Sequence, residues 1–282
     1  MTPRAAAPAG PALDDVIETF FATKTACDVD GTMAYFAPDM ATYIDATLGW
    51  DLAGWEILKG VFEQYMPNWG PPARSYATRI LAGDTSALVH MVDTPELFGG
   101  ELRILAAIDF ADGKIVRWVD YWDSSSFDDG LYAQFRTPED SFPTDLAYRV
   151  PTRADAGLVT TASALHEAFA AGDVAAAHDL LHTDVVLVDR ALRTHVIGRI
   201  ETVAYLGRAL DLLPYGRASA LRHAVGGAAG GGLEWTAADG QVGITALEHD
   251  AEGLVTSITS TYDSRLLAPE RRGALIAAAS GR

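Results

Sequence analysis

The chain has 282 residues, 49% of them apolar, and a formal charge of −17 at pH 7. That length holds one large core or two ordinary ones, and the acidity argues against nucleic acid or an anionic membrane as partner, since both are polyanions. A single cysteine, Cys27, excludes an internal disulfide framework and fits a reducing, cytoplasmic setting, and no apolar run approaches the ~18 residues of a membrane span.

Residues 1–12, MTPRAAAPAGPA, read as a flexible leader, because proline interrupts the run before any signal-peptide core forms. From Asp14 to Ala37 apolar residues recur at helical spacing (Val16, Ile17, Phe20, Phe21, then Met33 and Phe36), broken by Asp28-Val29-Asp30-Gly31 into two helices. Ala41 to Asp45 reads as a short strand, and Leu48 to Asp51 as the loop after it. A helix over 54–65 ends at Pro67. Strands follow over 74–81, 87–93 and 101–110, with turns at Gly83-Asp84 and Phe98-Gly99-Gly100.

The Asp112-Gly113 turn then opens Lys114-Ile115-Val116-Arg117-Trp118-Val119-Asp120-Tyr121-Trp122-Asp123, which alternates as a strand should. One face carries Val116, Trp118, Asp120 and Trp122, so a single carboxylate stands between two indoles. Burial among aromatics raises a carboxyl pKa and suits it to proton transfer near neutral pH. The competing reading is an edge strand with Asp120 facing solvent.

The same order recurs. Helix over 160–170, break at Gly172-Asp173, helix over 174–181, strand over 185–189, helix over 201–212, and strands over 217–225, 232–236, 242–248 and 254–263 repeat the first set. Asp45 matches Asp189, and Trp122-Asp123-Ser124 matches Tyr262-Asp263-Ser264. Two homologous α+β domains follow, over 13–135 and 154–282, joined by a proline- and acid-rich connector over 136–153 that is expected to drape over the surface. The glycine runs Gly226-Gly227 and Gly230-Gly231-Gly232 are expected to weaken the adjoining strand.

The string Trp118-Val119-Asp120-Tyr121-Trp122-Asp123 resembles the last strand of limonene-epoxide-hydrolase-like proteins, within the wider nuclear-transport-factor-2-like superfamily that includes SnoaL-like polyketide cyclases and ketosteroid isomerases. The resemblance implies two tandem cone-shaped domains, each a curved antiparallel sheet wrapped over N-terminal helices, packed as a pseudo-dimer within a monomer. It implies Asp120 as catalytic base and Trp122 as a pocket wall. The stretch ATYIDATLG resembles the isomerase pattern in which a strand-end Asp, here Asp45, shuttles a proton. It also resembles the Tyr-x-Asn of the epoxide hydrolases, which places Tyr43 and Asp45 around an attacking water. Departures from both patterns stand out. Phe20 or Phe21 and Ala106 occupy the isomerases' oxyanion positions, and the Arg and second Asp of the hydrolase relay would fall near Ala87 and Val89.

The candidate catalytic pair is therefore Asp45 and Asp120, with Tyr43, Trp50, Trp118, Trp122 and His90 as substrate-binding candidates and Asp189 as the second-domain candidate. His90 and Asp93 lie on opposite faces of one strand whose register the sequence leaves open. Five of the six tryptophans (50, 55, 69, 118 and 122) fall in the first domain, which suits a pocket for an apolar small molecule. In the second, Ser260 replaces Asp120. His178 and His182 at i, i+4 lack a third ligand, so no metal is expected, and no phosphate loop or dinucleotide fingerprint occurs, so no cofactor is expected. The expectation is a cofactor-independent acid–base enzyme, ring-forming or isomerising. The alternatives are a limonene-type epoxide hydrolase and a non-catalytic ligand-binding module.

Overall fold

The computed structural model describes residues 12–39, 41–150 and 152–281. All of the expected leader except Ala12 therefore lies outside the described residues, as does Pro151 of the connector. The first unit runs α1 (Leu13–Thr25), α2 (Val29–Met33), β1 (Thr42–Asp45), β2 (Trp50–Asp51), α3 (Trp55–Tyr65), β3 (Ser75–Ala82), β4 (Ser86–Asp93), α4 (Pro95–Phe98), β5 (Leu102–Ala111), β6 (Lys114–Tyr121) and α5 (Asp129–Phe135). The second runs α6 (Ala156–Ala171), α7 (Val174–Leu180), β7 (Leu181–Asp189), β8 (Thr194–Ile197), α8 (Arg199–Ala209), β9 (Ala220–Gly227), β10 (Gly230–Thr236), β11 (Val242–His249), β12 (Val255–Tyr262) and α9 (Pro269–Ala279).

Each unit builds one six-stranded sheet, in the order β2-β1-β6-β5-β4-β3 and β8-β7-β12-β11-β10-β9. The sheets are mixed rather than wholly antiparallel: β1 runs parallel to β6, and β7 to β12. A parallel pair needs a long connection, and helices α3 and α4 with strands β2 to β5 between β1 and β6 supply it. The break between α1 and α2 comes from Asp28, whose side chain accepts the Gly31 N–H at 2.9 Å as an N-cap. A Cβ at Gly31 would stand 2.3 Å from that carboxylate, so the cap requires glycine.

Several local expectations need correction. Trp50-Asp51 is a two-residue strand on the sheet edge, not loop. Pro67 does not stop the helical course abruptly, since Met66–Asn68 adds a 3₁₀ turn. The alternation of β6 slips at a bulge, where Arg117 pairs with Asp109 but Ile115 with Phe110. Ile115, not Val116, consequently joins Trp118 and Trp122 in the core of the first cone. His182 has left the helix for β7, so the i, i+4 helical spacing with His178 does not hold.

The connector is partly core. Leu146 is 2% exposed and packs with Phe142 and Ala147 into a cluster between the two sheets. That cluster joins Ile44, Leu88, Leu105, Val119 and Tyr121 of the first unit to Val225, Ile244 and Ala246 of the second, so the sheets pack face to face. Strands β9 and β10 pair through the glycine runs. The glycines permit close approach: a Cβ on Gly227 would lie 2.0 Å from the Ala82 carbonyl oxygen, and one on Gly83 would lie 2.4 Å from that of Gly226.

The two units are related as the halves of a symmetric dimer. Asp123 Oδ1 accepts the Ser264 N–H and hydroxyl at 2.9 and 2.7 Å, and Asp263 Oδ1 accepts those of Ser124 at 3.3 and 2.8 Å. Contact i-to-j with j-to-i is the signature of a two-fold interface, and it explains why the Asp-Ser pair recurs in the sequence. Asp109 meets His223 and Glu248 meets Arg79 in a second reciprocal exchange. At the centre, Arg117 is 1% exposed and donates to Asp109 at 3.0 Å, Glu234 at 2.7 Å and the Leu146 carbonyl at 2.8 Å. Tyr121 adds a 2.6 Å bond to the same Glu234 oxygen. Sheet strands buried on both faces leave room for such a charge only because these partners satisfy it.

Candidate active site

The first cone encloses a cavity of about 60 Å³. Its walls are apolar: Leu48, Trp50, Leu52, Phe62 and Tyr65 from the β1–α3 region, Leu102 and Ile104 from β5, and Phe127 and Phe135 from the segment after β6. Phe135 stacks on Trp50 with ring centroids 4.7 Å apart, and its helix α5 thereby closes the cone. The charged groups facing this space are Lys24, Asp45, Asp93 and Asp120.

Register brings the two candidate carboxylates together. In the parallel pair β1–β6, Asp45 lies opposite Asp120 and Tyr43 opposite Trp118. Asp120 is 3% exposed; its Oδ1 accepts the Trp118 indole N–H at 2.6 Å and its Oδ2 the Tyr43 hydroxyl at 2.5 Å. Asp45 accepts the Leu48 N–H at 2.8 Å and the Trp122 indole N–H at 2.9 Å. Thr47 ties the turn after Asp45 to the backbone of Trp122, accepting its N–H at 2.9 Å and donating to its carbonyl at 2.8 Å. Both carboxylates are thus held by two donors each, from rigid strands and a pinned turn.

Burial pushes the Asp45 carboxyl up to about 7, with the Asp120 charge adding to the rise. Burial also raises Asp120, to about 6, while the Tyr43 and Trp118 hydrogen bonds and the Lys24 charge pull it back. Burial and Asp120 together lift the Tyr43 phenol well above its ordinary value, so it stays a donor. The surroundings therefore raise both carboxyls toward neutral pH, with different donors holding each.

Lys24 and Asp93 went unread in the sequence as a pair. Lys24 sits in the last turn of α1, only 4% exposed, with Nζ 3.6 Å from Asp93 Oδ2. Ser75 donates to the other Asp93 oxygen at 2.5 Å. A lysine at a helix C-terminus ordinarily reads as a solvated dipole partner, and only the alternation of β4 hinted that Asp93 faces inward.

Two of the binding candidates stand elsewhere. His90 is on the opposite face of β4 and accepts from Arg190 of the second unit at 2.9 Å, because Val89 and Met91 take the cavity side of that strand. Trp118 lies behind the cavity rather than on its wall, stacked on Tyr43 at 5.5 Å and against Phe20 at 5.0 Å. Trp50, Tyr43 and Trp122 do line the cavity. Ala106 pairs across from Asp120, and Val89 across from Ala106, so no arginine relay is present on those strands.

Asp189 occupies the equivalent place in the second cone, opposite Ser260. It is fully buried, raised to about 6 by that burial, and accepts both Tyr215 and Tyr262 hydroxyls at 3.1 Å. Trp235, Tyr205, Tyr215, Tyr262 and Phe169 fill the space around it.

No family model and no curated protein matches the chain. Solved structures do resemble it. An uncharacterized protein with a cystatin-like fold from Silicibacter pomeroyi is 23% identical, matching 45% of this chain and 87% of its own (TM-score 0.37). A SnoaL-like protein of unknown function from Burkholderia thailandensis is 14% identical, over 39% and 97% (TM-score 0.35). A steroid delta-isomerase from Pseudomonas aeruginosa is 19% identical, over 46% and 93% (TM-score 0.36). The likeness is one of fold, and the roles of the residues above rest on their own geometry. Among the described residues no helix is long and apolar enough to cross a membrane.

Proposed function

We propose that the first cone is the active site of a cofactor-independent acid–base enzyme acting on an apolar small molecule, in an isomerising or ring-forming reaction. One observation carries this: half-buried Asp45 and buried Asp120 face one apolar cavity from register-paired positions, raised to about 7 and about 6. Two carboxyls whose surroundings separate their proton affinities divide the work of acid and base. Near pH 7 Asp120 is the base, already ionised and steadied by Tyr43 and Trp118. Asp45 still carries its proton for a good part of the time and returns it to the developing oxyanion or carbanion.

Lys24 supplies the positive charge that an enolate or alkoxide needs, in the place where an arginine relay is lacking. Its nearest acid, Asp93, keeps it oriented. The missing relay favours opening an epoxide with an internal hydroxyl, or moving a double bond, over simple hydrolysis.

The test is proton exchange at carbon. The protein is incubated in D₂O with an apolar β,γ-unsaturated ketone and, separately, with a hydroxy-epoxide, and deuterium uptake and ring closure are followed by NMR. Turnover that disappears in both Asp45→Asn and Asp120→Asn supports the reading. Saturable binding with no exchange and no ring closure, unchanged in either variant, favours the second reading, a ligand-holding module.

A further inference from the structure

We infer that the groove between the two units is a binding site for a small organic oxyanion, anchored by Arg190. The groove has a volume of about 570 Å³ and borders the cone cavity across Leu102, Trp122 and Phe127, which line both. Its charged lining is mainly basic, with Arg103, Arg190, Arg193 and His195 facing Glu101 and Asp123. Both acids are already engaged. Glu101 accepts from Arg103 Nε at 2.8 Å, and Asp123 accepts from Ser264 and Ser125.

Arg190 is the unusual member. It is half-buried, yet among the described residues no carboxylate lies within salt-bridge distance of it. Its partners are neutral: His90 Nδ1 at 2.9 Å and the Ile104 carbonyl at 3.4 Å. Those two bonds use two of its five N–H groups and fix the guanidinium plane. In a chain of charge −17, an arginine held in place by neutral acceptors beside a basic groove is a preset anion clamp. Burial and Arg103 lower its proton affinity, a strain that an incoming oxyanion relieves.

Pseudo-symmetry shows that this is not a by-product of the fold. Arg190 N–H bonds to the Ser260 carbonyl as Ala46 N–H bonds to that of Asp120, so alanine stands at the related place in the first unit. His195 pairs with Val188 where Asp51 pairs with Ile44, so an acid stands at the other. Among the described residues the basic groove exists once. The apolar wall from Trp122, Phe127 and Val188 selects an organic carboxylate or phosphate over a bare ion. The site needs both units and does not depend on the chemistry proposed for the cavity.

Calorimetry with benzoate, phenyl phosphate and inorganic phosphate, at constant ionic strength, tests this and separates carboxylate from phosphate. Saturable binding of one organic anion is expected, weakening as sodium chloride rises. Arg190→Gln should weaken it by about tenfold or more, given the strength of a charge-assisted pair. The exposed pair Arg193→Gln/His195→Gln leaves the fold untouched and should weaken it several-fold. No saturable binding of either organic anion, or affinities equal to wild type in both variants, would overturn the proposal.

Discussion

Asp45 lies directly across from Asp120 in the parallel pair β1–β6, and the two tryptophans flanking Asp120 along its strand are divided between them: Trp118 serves Asp120 and Trp122 serves Asp45. A parallel pair has evenly spaced rungs, so residues in register point to the same side of the sheet. Half-buried Asp45 and buried Asp120 stand on one side of one sheet, in an apolar cone. Burial is the first cause that raises both carboxyls, with the Asp120 charge adding to the rise of Asp45, and the fold bears that cost when they ionise.

The sign of that cost makes the first prediction. Asp120 has a folded proton affinity near 6, above its ordinary value of 3.8. Between those values the folded state binds more protons than the unfolded one, so stability falls as pH rises through the window. A shift of that size corresponds to about 3 kcal/mol lost by pH 8. Asp120→Asn removes the titration, so its chemical-denaturation profile should be flatter from pH 4 to 8 and it should be no less stable than wild type at pH 8. Its turnover should fall by about 10²–10⁴. Marked destabilisation at pH 8 would mean that Asp120 is an ionised structural partner.

Lys24→Met should destabilise the protein by about 3–5 kcal/mol, because Asp93 would be left buried without its cation. It should also move the Asp120 titration upward, since the Lys24 charge is one of the influences lowering it. Carboxyl ¹³C NMR in the variant checks this. An unmoved Asp120 titration would show that Lys24 does not act on the Asp45–Asp120 pair.

How far the sequence announced this site depends on the kind of signal. Strict alternation exposed Asp120 between Trp118 and Trp122, and the strand-end position singled out Asp45; both patterns are local. The repeat of Asp123-Ser124 as Asp263-Ser264 was legible because a two-fold interface uses the same residues twice. What alternation alone does not encode is register. His90 and Asp93 were undecided until β4 paired with β5, and the bulge at Val116 exchanged its side with Ile115. Lys24 meets Asp93 only through tertiary packing. Phe135 lies beyond the last expected strand, just before the connector, and its place against Trp50 comes only from tertiary packing.

Phe135 supports the third prediction. The cavity of about 60 Å³ is small beside the roughly 300 Å³ or more of sites for drug-sized ligands. An apolar substrate of that size must part Phe135 from Trp50, whose rings stack at 4.7 Å. Phe135→Ala removes this stack and should tighten binding of a bulky fluorescent naphthol while costing about 3–5 kcal/mol of stability. Unchanged affinity would show that substrate enters by another wall.

Asp189→Asn should leave turnover near wild type, because aromatic rings fill its cone and Ser260 stands where the second carboxyl would be. Its stability at pH 8 should be unchanged or higher, by the same proton linkage that applies to Asp120. Asp45→Asn measured alongside should be the damaging change. The reverse order of effects would move the active site to the second cone.

The last prediction concerns assembly. The sheet faces that could pair two copies are already covered by each other, through the cluster around Leu88, Leu105, Val225 and Ile244 and the buried Arg117–Glu234 ion pair. Arg117 also holds Asp109 and the Leu146 carbonyl, so it ties both sheets and the connector at one point. Sedimentation should therefore give a single species of the chain's own mass, 30.0 kDa. Arg117→Met strands Glu234 and Asp109 without their cation and should cost about 3–5 kcal/mol. Pairing Arg117→Met with Glu234→Gln and Asp109→Asn should recover part of that loss, since the uncompensated charges go with it. An obligate dimer that survives in the Arg117→Met variant would show that some other surface joins two chains.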